Sequence, residues 1–178
     1  MKKQFISTIL VAVLISLNGY TQDYNNKMRP QGVSDINAIT FDETLAKPAD
    51  PLRKNEISMK ALRAFTKEHK NVNDARWHKG NDWFAAYFTR NNIQVKVFYD
   101  SWGNNRYTLR SYQESNLPKD VRHQVKSTHY DYNIFYVNEV NVRGTVIYFI
   151  KLEGKNSWMD VRIVDNEMAT IQEYTKAK

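Results

Sequence analysis

Two stretches of this chain place apolar residues at helical spacing, and each is followed by short segments in which apolar and polar residues alternate. The first stretch covers residues 55–70, and Asn55 or Ser58 can cap it. The second stretch starts at Leu117, where Pro118 suits a first helical turn. The apolar stripes of the two predicted helices are Ile57, Ala61, Leu62 and Phe65, and then Leu117, Val121 and Val125.

Strand-like alternation follows each predicted helix, and turn residues divide it into about eight segments. The pair Asn91-Asn92 is a two-residue hairpin signal because asparagine tolerates a positive φ. Gly144 and the pair Asp165-Asn166 mark later turns. The predicted strands cover residues 75–77, 83–90, 93–99, 106–112, 133–142, 145–152, 158–164 and 168–174.

The same order of elements occurs twice, and this repetition is the strongest indication of the fold. A helix followed by about four strands occupies residues 56–114, and a similar series occupies residues 115–178. Each unit has one helix to cover one face of a sheet. We therefore predict an α+β, two-layer fold of two tandem repeats, with about eight antiparallel strands and both helices on one face.

The N-terminus has the pattern of a secretory signal peptide. Two lysines precede an apolar stretch from Phe5 to Leu17, which is short for a membrane-spanning helix. We predict that residues 1–21 are a signal peptide and that no membrane span remains after its cleavage. The protein is then expected in the periplasm or secreted.

Residues 22–55 are predicted to form a leader or linker before the folded domain of residues 56–178. The stretch contains Pro30, Gly32, Pro48 and Pro51, and its one apolar patch runs from Ile36 to Phe41. The patch could add an edge strand to the sheet, but a flexible tether is the favoured interpretation.

Composition and charge narrow the classes of function. None of the 178 residues is cysteine, so the exported chain has no disulfide framework and depends on its packed core for stability. The formal net charge of +7 falls to +5 without the two lysines of the predicted signal peptide. Basic residues are spread along the sequence instead of forming a cluster, which argues against nucleic-acid binding.

Motifs for catalysis or metal binding are missing from the sequence. It contains no nucleophile elbow, no phosphate-binding loop and no dinucleotide fingerprint. The turn at Asp100 has too few ligands for a calcium loop. The four histidines lack the spacing of zinc ligands: His69, His78, His123 and His129. We therefore expect no enzyme activity, no metal and no cofactor.

Several motifs of hydrophobic and turn residues occur in an order that suggests a family. They are Ala64-Phe65, Val72-x-x-Ala75-x-Trp77, the run from Trp83 to Phe88, Tyr99-Asp100-x-x-Gly103, and Leu117-Pro118-x-x-Val121. With them, residues 57–174 resemble the PepSY-like, beta-lactamase-inhibitor-like exported proteins of Bacteroidetes. The resemblance implies tandem helix-on-sheet units, an exported location, no catalytic machinery and protein binding through an open sheet face. No inhibitory residue can be matched, so lactamase inhibition is not carried over.

Strand alternation also predicts which side chains lie on the face away from the helices. If the helices cover Phe84, Ala86 and Phe88, the intervening residues point the other way. Lys96, Phe98, Arg110, Tyr112 and Phe149 are expected to join them on that face. A face rich in aromatics and arginine has the composition of binding hot spots. Alternatively, aromatics simply favour strands, and the leader or a dimer mate covers them.

The candidate binding residues are Trp83, Tyr87, Phe98, Trp102, Tyr112, Trp158 and Arg162. Trp102 is included because it lies in a predicted hairpin turn, although it could instead pack onto its own sheet. We expect a non-catalytic module that binds another envelope or secreted protein or peptide, as an inhibitor or regulator. The alternative is a carbohydrate or small-ligand module of the cell envelope. Acidic residues are scarce on this face, where Asp160 is the only one predicted, and this scarcity argues against the alternative.

Overall fold

One antiparallel sheet and two helices make up residues 51–176, which are the residues that the computed structural model describes. The predicted signal peptide and nearly all of the predicted leader lie outside the described residues. The helices are α1 (Met59–Glu68) and α2 (Lys119–Thr128). The strands are β1 (Arg76–Lys79), β2 (Trp83–Arg90), β3 (Ile93–Asp100), β4 (Asn105–Tyr112), β5 (Asn133–Val142), β6 (Thr145–Glu153), β7 (Ser157–Val164) and β8 (Glu167–Thr175).

The eight described strands follow one another across the sheet in sequence order, from β1 to β8. Three hairpins turn on pairs of residues with positive φ: Asn91-Asn92, Arg143-Gly144 and Asp165-Asn166. Positive φ at both central residues gives a turn whose twist matches that of the flanking strands. The hairpin predicted at Asn91-Asn92 is thus confirmed, and the predicted strand bounds agree with the structure to within about two residues.

Each helix begins after a single 3-10 turn, Lys54–Glu56 before α1 and Glu114–Asn116 before α2. Ser58 caps α1, because its hydroxyl accepts a hydrogen bond from the Ala61 N–H at 3.5 Å. Pro118 is the residue immediately before α2 and not part of its first turn. Both helices therefore begin two residues after the first member of the predicted apolar stripe, Ile57 for α1 and Leu117 for α2.

Each helix covers a hydrophobic cluster of its own. The α1 cluster contains Ile57, Ala61, Phe65, Trp77, Phe84, Ala86, Phe88, Val95, Val97 and Tyr99. The α2 cluster contains Tyr112, Leu117, Val121, Val125, Tyr132, Ile134, Val137, Ile150, Leu152, Met159, Val161 and Ile163. Residues directly opposite in a ladder share a face, and one such row runs through Val95, Arg110, Glu139 and Tyr148. This row joins the two clusters, so both helices lie on one face of the sheet.

A polar seam separates the two clusters where β4 pairs with β5. Arg110 and Glu139 lie directly opposite each other in this pairing, on the helix side of the sheet. Their side chains form an ion pair with 2.6 Å between Nη1 and Oε1. Ile93 packs against both clusters. The sheet is therefore continuous across its middle, although the core beneath the helices is interrupted there.

The prediction that Arg110 and Tyr112 lie away from the helices is wrong. Tyr112 is 3% exposed and packs in the α2 cluster, opposite Val137. The β4 sequence has apolar residues at both parities, so its own alternation does not decide its orientation. Pairing with β3 decides it, because Leu109 lies opposite Lys96 and therefore takes the face away from the helices.

Candidate binding face

The helix-free face is the side of the sheet opposite α1 and α2. Strand register assigns side chains from seven strands to it. They include His78, Trp83, Ala85, Tyr87, Lys96, Phe98, Tyr107, Leu109, Ser111, Tyr136, Asn138, Val140, Val142, Ile147, Phe149, Lys151, Glu153, Trp158, Asp160, Arg162 and Val164. Two aromatic groups stand at diagonally opposite corners, with a strip of aliphatic residues between them.

The first aromatic group surrounds Phe98 on β3. Its ring stacks on that of Tyr107 at 4.3 Å between centroids, and Trp83 meets it edge-on at 5.5 Å. Tyr87 lies 6.5 Å from Phe98 on the other side, and His78 packs at 4.7 Å from Tyr87. Phe98 itself is 5% exposed. It therefore supports the half-exposed rings of Trp83 and Tyr87 and offers little surface of its own.

Lys96 adds a positive charge to this first group. Its Nζ lies 5.3 Å from the centre of the Tyr87 ring, a cation–π distance. Burial lowers the pKa of Lys96, and burial raises the pKa of Tyr87. No carboxylate within residues 51–176 forms an ion pair with Lys96. This corner of the face therefore suits an acidic group.

The second aromatic group surrounds Trp158 at the start of β7. Phe135 meets Trp158 edge-on at 5.0 Å and is 52% exposed. Tyr174 on β8 lies opposite Trp158 and is also exposed. Lys176 places its Nζ 4.9 Å from the Trp158 ring centre. Three aromatic rings and a cation thus share one exposed corner, which we call the Trp158 patch (Phe135, Trp158, Tyr174 and Lys176).

Ion pairs flank the Trp158 patch. Lys151 pairs with Asp160 at 2.9 Å and also donates a hydrogen bond to the Tyr174 hydroxyl. Burial lowers the pKa of Lys151, but these two hydrogen bonds outweigh burial and the net shift is upward. Glu153 lies opposite Trp158 and pairs with Lys176 at 2.7 Å. Both carboxylates near the patch are therefore already paired.

The central strip of the helix-free face consists of Leu109, Val140 and Ile147 on three neighbouring strands. Leu109 lies opposite Val140, and Val140 lies opposite Ile147. All three are buried, yet none belongs to the cluster under either helix. The helix-free face is therefore not uniformly open.

Five of the seven predicted binding residues lie on the helix-free face: Trp83, Tyr87, Phe98, Trp158 and Arg162. The structure brings the first three together and places Trp158 at the other corner. Tyr112 is in the core, as described above. Phe135 was missed because it occupies a β-bulge between Ile134 and Tyr136, and alternation does not predict the direction of a bulged residue.

Trp102 lies apart from these groups, in the β3–β4 turn, and is 68% exposed. The backbone N–H of Trp102 donates to Asp100 Oδ1 at 2.9 Å. The turn rests on the start of α1, because the Ser58 hydroxyl donates to the Ser101 carbonyl at 3.2 Å. The predicted turn position of Trp102 is confirmed, and its role in binding stays a prediction.

Two kinds of site were sought in the part of the chain that the structure describes: clusters of metal ligands and helices suited to crossing a membrane. No three histidine, cysteine, aspartate or glutamate side chains within residues 51–176 converge as metal ligands would. No helix in the same range is long and apolar enough to cross a membrane.

Solved structures from Bacteroides share this fold. A DUF2874 family protein from Bacteroides uniformis is 12% identical with a TM-score of 0.55, covering 67% of this chain and 89% of that chain. A BLIP-like protein from Bacteroides fragilis is 15% identical with a TM-score of 0.54, covering 76% and 94%. A candidate periplasmic protein from Bacteroides eggerthii is 11% identical with a TM-score of 0.53, covering 66% and 87%.

At sequence identities this low, the similarity to these structures shows a shared fold and does not show a shared function. The name of the Bacteroides fragilis protein agrees with the beta-lactamase-inhibitor-like part of the resemblance drawn from the sequence motifs. The PepSY-like part has no counterpart in the names of these structures. No protein-family model matches the chain, and no curated protein matches it significantly.

Proposed function

We propose that this protein is an exported, non-catalytic module that binds another envelope or secreted protein on the helix-free face of its sheet. The observation that carries the proposal is the Trp158 patch, where Phe135 is 52% exposed beside Trp158 and Tyr174. Aromatic residues with adjacent cations are the composition of interface hot spots. Exposed apolar surface of this kind marks interaction sites on soluble proteins.

The size of the face suits a protein partner. Eight strands at about 4.8 Å spacing extend roughly 34 Å, and strands of about eight residues extend roughly 27 Å. The product, about 900 Å², is close to the roughly 800 Å² that each partner contributes to a standard interface. A single helix-and-four-strand unit would supply about half of this area. We propose that the two halves are tandem repeats and that joining them provides a face wide enough for a protein.

Export is supported by two observations. The N-terminal sequence predicts a signal peptide, and a structure with the same fold is named as a candidate periplasmic protein. The BLIP-like neighbour supports protein binding as the use of this fold. An inhibitory or regulatory effect on the partner is the role we propose for the bound state.

The test is capture on the immobilised chain beginning at Gln22, using envelope extract of the source organism. A Phe135→Ala/Trp158→Ala variant removes the two central rings of the Trp158 patch. A Met59→Ala/Tyr130→Ala variant is the matched control, because it removes two exposed large hydrophobic side chains outside the patch. The captured protein is then purified and its Kd measured against all three chains.

We expect the wild type and the control to bind the captured partner with the same Kd. The patch variant should bind it roughly thirty-fold more weakly, or weaker still. That factor corresponds to about 2 kcal/mol, the usual threshold for a hot spot. A partner that binds the patch variant with unchanged Kd would show that the Trp158 patch is the wrong surface.

A second candidate function is binding of an envelope carbohydrate, and one observation favours it. Glu153 and Asp160 both lie on the helix-free face beside Trp158, so carboxylates stand near an exposed ring. Sugars stack on aromatic faces and use carboxylates as hydrogen-bond acceptors. Titration of tryptophan fluorescence with cell-wall glycan fragments tests this, since a saturable shift that Trp158→Ala abolishes would support it.

A further inference from the structure

Basic side chains surround Tyr87 on the helix-free face. Arg76 on β1 lies directly opposite Tyr87, and Tyr87 lies directly opposite Lys96 on β3. Residues that are opposite in a ladder share a face and keep their Cβ atoms about 5 Å apart, so the two cations flank Tyr87 on both sides. His78 packs edge-on against Tyr87 at 4.7 Å between ring centroids. We call these four residues the basic corner (Arg76, His78, Tyr87 and Lys96).

The positive charge of the basic corner is not balanced within the part of the chain that the structure describes. No carboxylate of residues 51–176 forms an ion pair with Arg76, His78 or Lys96. Burial, and then the charges of Arg76 and Lys96, lower the pKa of His78. Both cations therefore lie close to the same ring, and their positive fields overlap there.

Lys96 is the member of the basic corner that most needs an acidic partner. It lies on β3, an inner strand flanked by β2 and β4, so it does not protect a sheet edge as exposed lysines often do. The side chain is half-buried, and its Nζ lies 5.3 Å from the centre of the Tyr87 ring. A charge that has lost part of its hydration gains more from a contacting carboxylate than a fully solvated charge does.

The Trp158 patch, at the other end of the face, shows the contrasting arrangement. There Asp160 pairs with Lys151 at 2.9 Å, and Glu153 pairs with Lys176 at 2.7 Å. The strands β2 and β7 are five strand spacings apart, or roughly 24 Å, so these carboxylates do not reach the basic corner. The face is therefore balanced in charge at the Trp158 patch and positive at the basic corner. A protein that covers both corners has to meet the positive one with a negative group.

We propose that the basic corner binds the carboxylate of an aspartate or glutamate side chain of the partner protein. Arg76 and Lys96 donate charge-assisted hydrogen bonds to its two oxygens, and the Tyr87 ring packs against its methylene carbons. Two fixed cations suit a single acidic side chain. Assigning this carboxylate to a protein rests on the proposed function, whereas the carboxylate site itself rests on the basic corner alone.

A phosphate group suits the basic corner less well than a carboxylate does. A phosphate carries up to about two charges and three acceptor oxygens, and its sites often use backbone N–H groups at a helix N-terminus or in a turn. At the basic corner, β2 pairs with β1 on one side and with β3 on the other, so the backbone is engaged in strand ladders. The available donors are side chains, which match the two oxygens of a carboxylate.

Titration of the isotope-labelled chain beginning at Gln22, followed by NMR, tests the carboxylate site without a partner. The probes are the capped tripeptide acetyl-Gly-Asp-Gly-amide and its neutral counterpart acetyl-Gly-Asn-Gly-amide. The aspartyl probe is expected to shift the amide signals of Arg76, Tyr87 and Lys96 saturably, with a Kd of roughly 1–10 mM. The Kd of the asparaginyl probe should be at least roughly tenfold higher, because it lacks the charge.

Two variants and a matched control locate the site. Lys96→Met keeps most of the side-chain length and removes the charge, and it should weaken binding of the aspartyl probe at least roughly tenfold. Arg76→Gln should have the same effect at an exposed position, where the substitution does not disturb packing. Lys119→Met removes an equal charge on α2, on the other side of the sheet, and should leave the Kd unchanged. The dispersion of the amide signals shows in each case that the variant is folded.

Three results would overturn the proposal. The first is equal binding of the aspartyl and asparaginyl probes, and the second is equal weakening by Lys119→Met and Lys96→Met. The third comes from titrating inorganic phosphate and glucuronate in the same way. If either binds at least roughly tenfold more tightly than the aspartyl probe, the basic corner is a site for phosphate or for an acidic glycan, and not for an acidic side chain of a protein.

The titration contains no partner, so the two proposals fail separately. A failed titration would leave protein binding through the Trp158 patch intact, and a failed capture experiment would leave the carboxylate site intact. If both hold, the captured partner should bind the Arg76→Gln/Lys96→Met chain at least roughly tenfold more weakly, and its Kd should depend less on salt. An unchanged Kd and salt dependence would show that the partner does not use the basic corner.

Discussion

Tyr112 and Glu139 are joined by a hydrogen bond across the pairing of β4 with β5, with 2.7 Å between the Tyr112 hydroxyl and Glu139 Oε2. Arg110 binds the other carboxylate oxygen at 2.6 Å. Burial, followed by this hydrogen bond, raises the pKa of Tyr112. The three side chains occupy the seam between the two hydrophobic clusters. Polar contacts therefore strengthen the junction of the two halves where apolar packing is interrupted.

Tyr112→Phe should lower the free energy of unfolding by about 1.5 kcal/mol or more. It removes a hydrogen bond to a charged acceptor, and the Glu139 side chain is only 14% exposed. Urea denaturation followed by tryptophan fluorescence measures the change. Tyr148→Phe is the control, because Tyr148 packs against the same cluster and its hydroxyl has no hydrogen-bond partner within residues 51–176. Equal effects of the two substitutions would contradict the importance of the junction.

Gly103→Ala should destabilise the protein more than Gly144→Ala does. Both glycines have a positive φ, 88° and 91°, so alanine costs roughly 1 kcal/mol at either position. A Cβ on Gly103 would also lie 2.7 Å from the Lys60 carbonyl, whereas nothing lies within 4 Å of one on Gly144. Because backbone cannot yield as a side chain does, the difference should be about 1 kcal/mol or more. Thermal unfolding of both variants measures it, and equal losses would refute the close approach.

His69 should make the stability fall as the pH is lowered. Its ring lies 4.9 Å from Phe65 and 5.2 Å from Phe88, and burial lowers its pKa, with Glu68 opposing the shift. The folded pKa is then below the unfolded value of about 6.5, so the unfolded state binds more protons in between. The stabilisation is complete above about pH 6.5 and is lost as the pH falls through the folded pKa.

The check for His69 is the free energy of unfolding at about pH 7.5 and about pH 5.5. His69→Gln should reduce the loss between these two pH values. His123→Gln, on the exposed side of α2, should leave it unchanged. His78 contributes in the same direction, since burial also lowers its pKa, so the loss should shrink further in a His69→Gln/His78→Gln chain. A steeper loss in either variant would contradict the assigned sign.

Asn92→Gly should raise the stability by roughly 0.5 kcal/mol. Asn92 has φ 62° in a two-residue hairpin, where glycine meets no steric penalty. Asn92→Ala should lower the stability by about 1 kcal/mol, because alanine lacks asparagine's tolerance of positive φ. Asn156→Gly, at an exposed turn residue without a positive φ, is the control and should be neutral or destabilising. A loss of stability in Asn92→Gly would contradict the turn geometry.

Most of the secondary structure could be predicted from local patterns, because those patterns report backbone and solvent preferences directly. The Asn91-Asn92 hairpin depends on the φ tolerance of two neighbouring residues, and the α2 stripe on side chains four residues apart. Each of these signals lies within a few residues of the element that it predicts. The repeat interpretation, in contrast, compares distant segments and stays a prediction.

The binding face was harder to predict because it depends on partners from other strands. Trp83 and Phe98 were placed correctly, because Gln94 and Lys96 indicate the outward parity of β3 and because Phe84, Ala86 and Phe88 were assigned to the helix side of β2. Tyr112 was misplaced, because pairing with β3 and not the β4 sequence sets its side. Phe135 was missed, because a bulge gives it a direction that period-two alternation does not contain.

Local hydrophobic period and backbone preference are enough to predict the two amphipathic helices, the eight strands of residues 51–176 and their turns. Tertiary structure alone decided that the core divides into two clusters and that Arg110 and Glu139 form a seam between them. It also decided that the aromatics of the helix-free face form two separate corners. The physical reason is that register and bulges fix which distant residues become neighbours, and local patterns carry no information about that choice.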